Sequence, residues 1–300
     1  MTHTGVMRSR YCSIMKKEIP ELKTQDVGGA GLPYLYYEGG PRPILFAHAT
    51  GFLPWLWHPV IEEFIPDYSA WAPYICDYRS CNPHEGGLSW NVIAEDLAVF
   101  CRAQKIEKPI LVGHSMGATV LTIAAAAYGL IPRGMVLIEP IFLPDEFYKM
   151  TPSVEDHPLA SKSIKRLNHW QSEDEAMSYL KSRSLFSDWD EGVLQLYRQY
   201  GMEKLPEGDM QLACTPESEA AMFMGGWSRD PWPLLSRIEC PVLVLEGTKS
   251  PNVGLVDIQR AVSLLPQGQY GSVVGAGHLI PMQRPAEIAG IVKDFIANLV

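Results

Sequence analysis

Residues 113–118 read Gly-His-Ser-Met-Gly-Ala. Ser115 has a glycine two positions before it and another two positions after it. That spacing suits a turn too sharp for side chains at its flanks, which exposes the hydroxyl where a strand hands over to a helix. A serine hydroxyl is a weak nucleophile at neutral pH and needs a neighbouring base to take its proton. Histidine has the pKa for that task, and His278 stands in a glycine-containing loop, Val-Val-Gly-Ala-Gly-His. The chemistry these residues could perform is attack on an acyl carbonyl, with the N–H groups of a helix N-terminus receiving the oxyanion. A serine in this place can also be a plain helix N-cap. The apolar run Ile-Leu-Val before the motif and the alanine-rich stretch after it favour the nucleophile. Of the other histidines, His48 and His114 adjoin the turns that would frame the site and are read as shaping them. His3, His58, His84, His157 and His169 are read as surface or packing residues.

These residues need a scaffold, and the chain alternates strand and helix signals. Two strands lie in 33–51, joined at Gly39-Gly40-Pro41, and a third in 69–80. Apolar residues at 93, 94, 97, 98 and 101 mark a helix. The strand of 108–115 runs into Ser115, and a helix follows, closing near Gly129 and Pro132. A strand over 134–140 stops at Pro140. From about 141 to 228 strand-like runs vanish and helical, aromatic segments replace them. Alternation then resumes with a strand at 241–247, a helix around 254–265, a strand from 270 and a last helix after Pro285. Such alternation implies a mostly parallel sheet with helices on both faces. The expected organisation is a core of 1–140 and 229–300 with a helical cap inserted at 141–228.

Lys plus Arg number 25 against 34 Asp plus Glu, a net charge of −9 that argues against nucleic acid or an anionic membrane as partner. The six cysteines are scattered without metal-ligand spacing, so they are expected as reduced thiols; Cys76 and Cys81 are the closest pair. The N-terminal segment lacks the apolar stretch of a secretory signal, and no apolar run reaches spanning length. A cytoplasmic protein is expected.

The Gly-His-Ser-Met-Gly motif between strand and helix resembles the α/β-hydrolase superfamily, in its cap-bearing branch, over about residues 33–300. His48-Ala49-Thr50, with Trp57 nine residues after the histidine, matches the family's His-Gly-x segment, alanine replacing glycine. Cys76–Asn82 resembles its Asp-x-Arg-Gly-x-Gly segment. The resemblance implies an oxyanion hole from the backbone N–H groups of Met116 and Thr50. A serine at the elbow argues against dehalogenase and epoxide hydrolase chemistry, for which the family uses aspartate there.

The family's usual acid follows the strand represented by Pro-Val-Leu-Val-Leu-Glu-Gly. Here that place holds Ser250, beside Lys249, and neither can stabilise an imidazolium. Asp257 lies further on, inside the expected helix, and Glu246 lies within the strand. Glu139 ends the strand after the elbow helix, where some branches, including certain haloalkane dehalogenases and zearalenone-type lactonases, carry a glutamate. A neighbouring parallel strand opens on the same crevice, so Glu139 is the expected acid. Asp77 and Asp96 resemble structural positions. The resulting expectation is a serine hydrolase of Ser115, His278 and Glu139, acting on a small apolar ester or lactone without metal or organic cofactor. Phe52, Trp55, Met222 and Phe223 are its candidate substrate contacts. An acyltransferase, a carbon–carbon bond hydrolase and a ligand receptor on the same fold stay open.

Overall fold

The computed structural model describes residues 18–299. The expectations for the N-terminal segment, with His3 and Cys12, lie outside the described residues. The strands are β1 (Lys23–Asp26), β2 (Gly31–Tyr37), β3 (Arg42–Ala47), β4 (Tyr68–Pro73), β5 (Ile110–His114), β6 (Gly134–Ile138), β7 (Met202–Lys204), β8 (Met210–Leu212), β9 (Val242–Gly247) and β10 (Gly268–Val273). Eight of them form one sheet in the order β1-β2-β4-β3-β5-β6-β9-β10. The pairs involving β2 are antiparallel, and every pair from β4 to β10 is parallel.

Helices cover both faces, and the strand sequences explain why. All residues of β5 and β6 are buried, as expected of strands with no solvent face. Alternate side chains feed two separate cores. Ile44, Phe46, Val112, Val136 and Ile138 pack in one, with α10 (Pro285–Ala297) and the short α1 (His58–Ile61). Leu45, Ala47, Leu111, Met135 and Leu137 pack in the other, with α2 (Trp90–Ala103), α3 (Met116–Ala127) and α8 (Ile258–Leu264).

The segment between β6 and β9 carries α4 (Ala160–Ser163), α5 (Glu173–Lys181), α6 (Glu191–Tyr200) and α7 (Pro216–Gly225). It also holds the antiparallel hairpin β7–β8, so it is not purely helical as expected. Three-residue strands are too short to display an alternation that could be recognised in the sequence. Short α9 (Ile280–Gln283) follows β10. Although β2 and β3 are consecutive in sequence, β4 lies between them. The helix expected around 254–265 begins only at Ile258, where Asp257 accepts a hydrogen bond from the Arg260 N–H and caps it.

The cysteine expectation is corrected. Cys76, just past β4, forms a disulfide with Cys214, just before α7, with the two Cα atoms 6.0 Å apart. The partners are 138 residues apart in sequence, so only tertiary packing brings them together. Cys81, Cys101 and Cys240 are free thiols. Among the described residues, no helix is long and apolar enough to cross a membrane.

Candidate active site

The site forms where the C-terminal ends of β5, β6 and β9 meet the loops after β3 and β10, the crevice at which open parallel sheets bind ligands. Ser115 lies between β5 and α3 with φ 55° and ψ −118°, outside the regions that L-residues readily adopt. Its N–H donates to the Ile138 carbonyl at 2.9 Å, and its carbonyl accepts from the Thr119 N–H at 3.2 Å, holding the turn in place. The flanking glycines are sterically required. A Cβ on Gly113 would lie 2.5 Å from the Ala118 Cα, and one on Gly117 would strike the Ala47 carbonyl oxygen.

His278 brings Nε2 to 3.0 Å from the Ser115 Oγ. Its Nδ1 lies 2.9 Å from Oε2 of Glu139, whose side chain is 3% exposed. Glu139 is not left with this contact alone. Its Oε1 accepts from the Gly247 N–H at 2.6 Å, and its Oε2 accepts from the Ser250 hydroxyl at 2.7 Å. A buried carboxylate without such donors would be unfavourable. Ser250, at the position where the family resemblance places an acid, therefore serves the displaced carboxylate as a hydrogen-bond donor. Asp257 is exposed and occupied in capping α8, and Glu246 accepts from the Tyr270 hydroxyl at 3.1 Å.

One neighbour of the imidazole was missed by the sequence reading. The Asn252 side-chain amide lies 3.0 Å from His278 Nδ1, and its backbone N–H donates to the Ser250 Oγ at 3.2 Å. A carboxamide can present either its oxygen or its N–H₂ to that nitrogen. The only signal in the sequence was the polar run Thr-Lys-Ser-Pro-Asn that follows β9.

His48 and His114 frame the site without competing as bases. A carbonyl only accepts, so His48 Nδ1 donates to the Ala49 carbonyl at 2.8 Å, and its Nε2 accepts from the Ile75 N–H at 2.9 Å. Burial pushes its pKa down to about 4. His114 Nε2 donates to the His278 carbonyl at 2.8 Å, and burial holds this imidazole well below the usual histidine range. The loop bearing His278 is fixed further by the Gly277 N–H donating to Gln283 Oε1 at 2.8 Å.

The turn after β3 is closed by a hydrogen bond from the Phe52 N–H to the Ala49 carbonyl at 3.2 Å. Thr50 is buried in it, and Gly51 has φ 77°. Met116 opens α3, so its N–H has no carbonyl partner within the helix. The expected substrate contacts divide. Phe52 packs its ring 5.6 Å from Trp189 and 6.4 Å from Tyr197, and Trp55 stacks on Tyr200 at 4.8 Å, so both stand where the turn meets α6. Met222 instead lies in the core around Trp90, whose indole N–H donates to the Met222 carbonyl at 2.8 Å. Phe223 is half-buried beside His157. Asp96 ion-pairs with Arg79 at 2.6 Å and Asp77 accepts from the Ser218 hydroxyl at 2.8 Å, both structural contacts.

A family model described as the alpha/beta hydrolase family matches residues 44–291. Ethanol acetyltransferase 1 of Cyberlindnera jadinii is 23% identical over 239 residues, covering 71% of this chain and 66% of that protein. Esterase YbfF of Escherichia coli is 22% identical over 219 residues, covering 72% of this chain and 78% of the esterase. Among solved structures, E-2-(acetamidomethylene)succinate hydrolase superposes with a TM-score of 0.76 at 21% identity, covering 92% of this chain and 99% of that one.

Proposed function

The chain belongs to the alpha/beta hydrolase family, and from that premise we propose that it is a serine hydrolase of carboxylic esters or lactones with an apolar acyl or alcohol part. The observation that carries the reading is the unbroken hydrogen-bond chain from Ser115 Oγ through His278 to buried Glu139. Ser115 Oγ adds to the substrate carbonyl while its proton passes to His278 Nε2. Glu139 stabilises the imidazolium through Nδ1–H. The tetrahedral oxygen rests on the N–H groups of Met116 and Thr50. His278 then gives the proton to the departing alkoxide, and the acyl group stays on Ser115. Water, deprotonated by the same histidine, releases the acid and restores the serine.

Residues 141–228 would act as a cap over this crevice, with Phe52, Trp55, Trp189, Tyr197 and Tyr200 as an apolar wall for the substrate. The chemistry needs no metal or organic cofactor. The experiment is turnover of a panel of p-nitrophenyl esters and small lactones by the wild-type chain and by Ser115→Ala. The reading expects steady release by the wild type and a loss on the order of 10⁶-fold in kcat in the variant. Equal turnover by both proteins would remove Ser115 from the chemistry. Ligand binding without turnover would instead point to a receptor.

Acyl transfer to an alcohol is the second reading. It is supported by the similarity to ethanol acetyltransferase 1 and by a Ser115 that is only 7% exposed, a setting that can restrict water. Adding ethanol to the ester assay separates the two, because transfer yields ethyl ester at the expense of free acid.

A further inference from the structure

Beside the turn after β3 lies a part-buried ion pair that the proposed chemistry does not use. Arg166, three residues past α4, places Nη1 3.0 Å from Oε2 of Glu219 on α7. The pair abuts the turn after β3: the Glu219 carboxylate fills the space into which a side chain at Gly51 would project. Tyr197 and Phe52 stand alongside, and Tyr197 lies close enough to feel both charges. Burial raises the Glu219 carboxyl above its ordinary range, with Arg166 opposing the shift.

The guanidinium is incompletely used. Nη2 makes one long bond, to the Cys214 carbonyl at 3.4 Å, and Nε is buried with no hydrogen-bond partner among the described residues. Nε–H and Nη2–H lie on the same edge of the guanidinium, the edge that grips an acceptor side-on. A buried donor left unpaired is destabilising, so an acceptor that reaches this edge is favoured there.

We propose that Arg166, held by Glu219 beside the oxyanion turn, is a specificity-determining residue that hydrogen-bonds a neutral acceptor oxygen, such as a second carbonyl, on the acyl part of the substrate. This rests on the serine-hydrolase reading of Ser115. The acceptor is neutral because Glu219 already balances the guanidinium. A substrate carboxylate would leave a net negative charge in a buried setting.

The test compares p-nitrophenyl hexanoate, its keto-substituted analogues and the mono-p-nitrophenyl ester of adipate. The proteins are the wild type and the double variant Arg166→Met/Glu219→Gln, which leaves neither charge unpaired. The wild type should prefer a keto-substituted ester in kcat/KM by about 10-fold to 100-fold, the range for a charged donor meeting a neutral acceptor. The double variant should lose that preference and keep its rate on the plain hexanoate. A uniform fall on all esters, no preference in the wild type, or a preference confined to the adipate ester would each overturn the proposal. Binding to Ser115→Ala tests the subsite apart from turnover. Methyl keto-hexanoates should raise its melting temperature more than methyl hexanoate does, and equal shifts would overturn the subsite whether or not the wild type hydrolyses esters.

Discussion

Replacing Glu139 by glutamine keeps the shape of the side chain, and the hydrogen bonds around it dictate how the new amide must sit. The Gly247 N–H, 2.6 Å from Oε1, can only donate, so it demands an oxygen at that position. The amide N–H₂ is therefore driven to the Oε2 position, facing the Ser250 hydroxyl at 2.7 Å and His278 Nδ1 at 2.9 Å. Serine can turn and accept. Histidine can accept at Nδ1 only by moving its proton to Nε2, the nitrogen 3.0 Å from the Ser115 Oγ. In that tautomer the imidazole cannot take the serine proton, and the charge that would stabilise an imidazolium is gone as well. The corresponding aspartate-to-asparagine change in the serine protease triad drops kcat on the order of 10⁴-fold, about 5 kcal/mol of barrier. We expect a loss of that order for Glu139→Gln, read as kcat on a p-nitrophenyl ester, with the melting temperature recorded to check folding. Asp257→Asn should leave kcat unchanged, since asparagine caps a helix as well as aspartate does. Near-normal turnover by folded Glu139→Gln, with loss in Asp257→Asn, would refute the assignment of the acid.

The exchange Glu139→Ser/Ser250→Asp moves the carboxylate to the place where the resemblance to the family puts it. It should turn over esters faster than Glu139→Ser alone, and a double variant no faster than the single one would count against a shared role for the two positions. Gly117→Ala should lower stability by about 2 kcal/mol or more, because the added methyl strikes the Ala47 carbonyl; an unchanged urea midpoint would refute the steric account. The pKa of buried His48 is about 4 in the folded chain against an ordinary 6.5. Between those values the unfolded chain binds the extra proton, so this contribution is complete above pH 6.5 and is lost as pH falls toward 4. The loss attributable to His48 is about 3 kcal/mol. His48→Gln should flatten the dependence of melting temperature on pH over that window, and an equally steep profile would remove His48 from the acid sensitivity.

The parts legible in the sequence are those written locally. Gly113 and Gly117 are required by contacts within a few residues of Ser115 and by the adjoining strand, so the motif betrays the turn. β5 and β6 are buried on both faces and read as unbroken apolar runs. The candidacy of Glu139 was legible by subtraction, because Ser250 stands where an acid was expected, and its carboxylate lies 2.9 Å from His278 Nδ1. What escaped depends on packing between distant segments. Cys76 and Cys214 carry no mutual signal, and Asn252 becomes relevant only once the loops after β9 and β10 are brought together. Met222 and Phe223 are adjacent on α7, and the apolar pattern there could not say which face meets the core around Trp90. The β7–β8 hairpin is too short to show a period.

The placement of Glu139 beside His278 follows from the backbone more than from the side chain. β5 and β6 are paired in parallel with His114 opposite Ile138, so Ser115 and Glu139 are the next residues on each strand. Both leave the sheet with left-handed φ values, 55° and 50°, that non-glycine residues seldom adopt. Each is held there by its own N–H bonding to the adjacent strand's carbonyl, Ser115 to Ile138 and Glu139 to Leu245, at 2.9 and 2.8 Å. The strain is thus local and over-determined by the sheet, the condition under which such conformations persist. A carboxylate on the strand adjacent to that of Ser115 needs no long loop to deliver it. The loop after β9 contributes the Ser250 hydroxyl as a donor to the Glu139 carboxylate and sets the Asn252 carboxamide beside the imidazole.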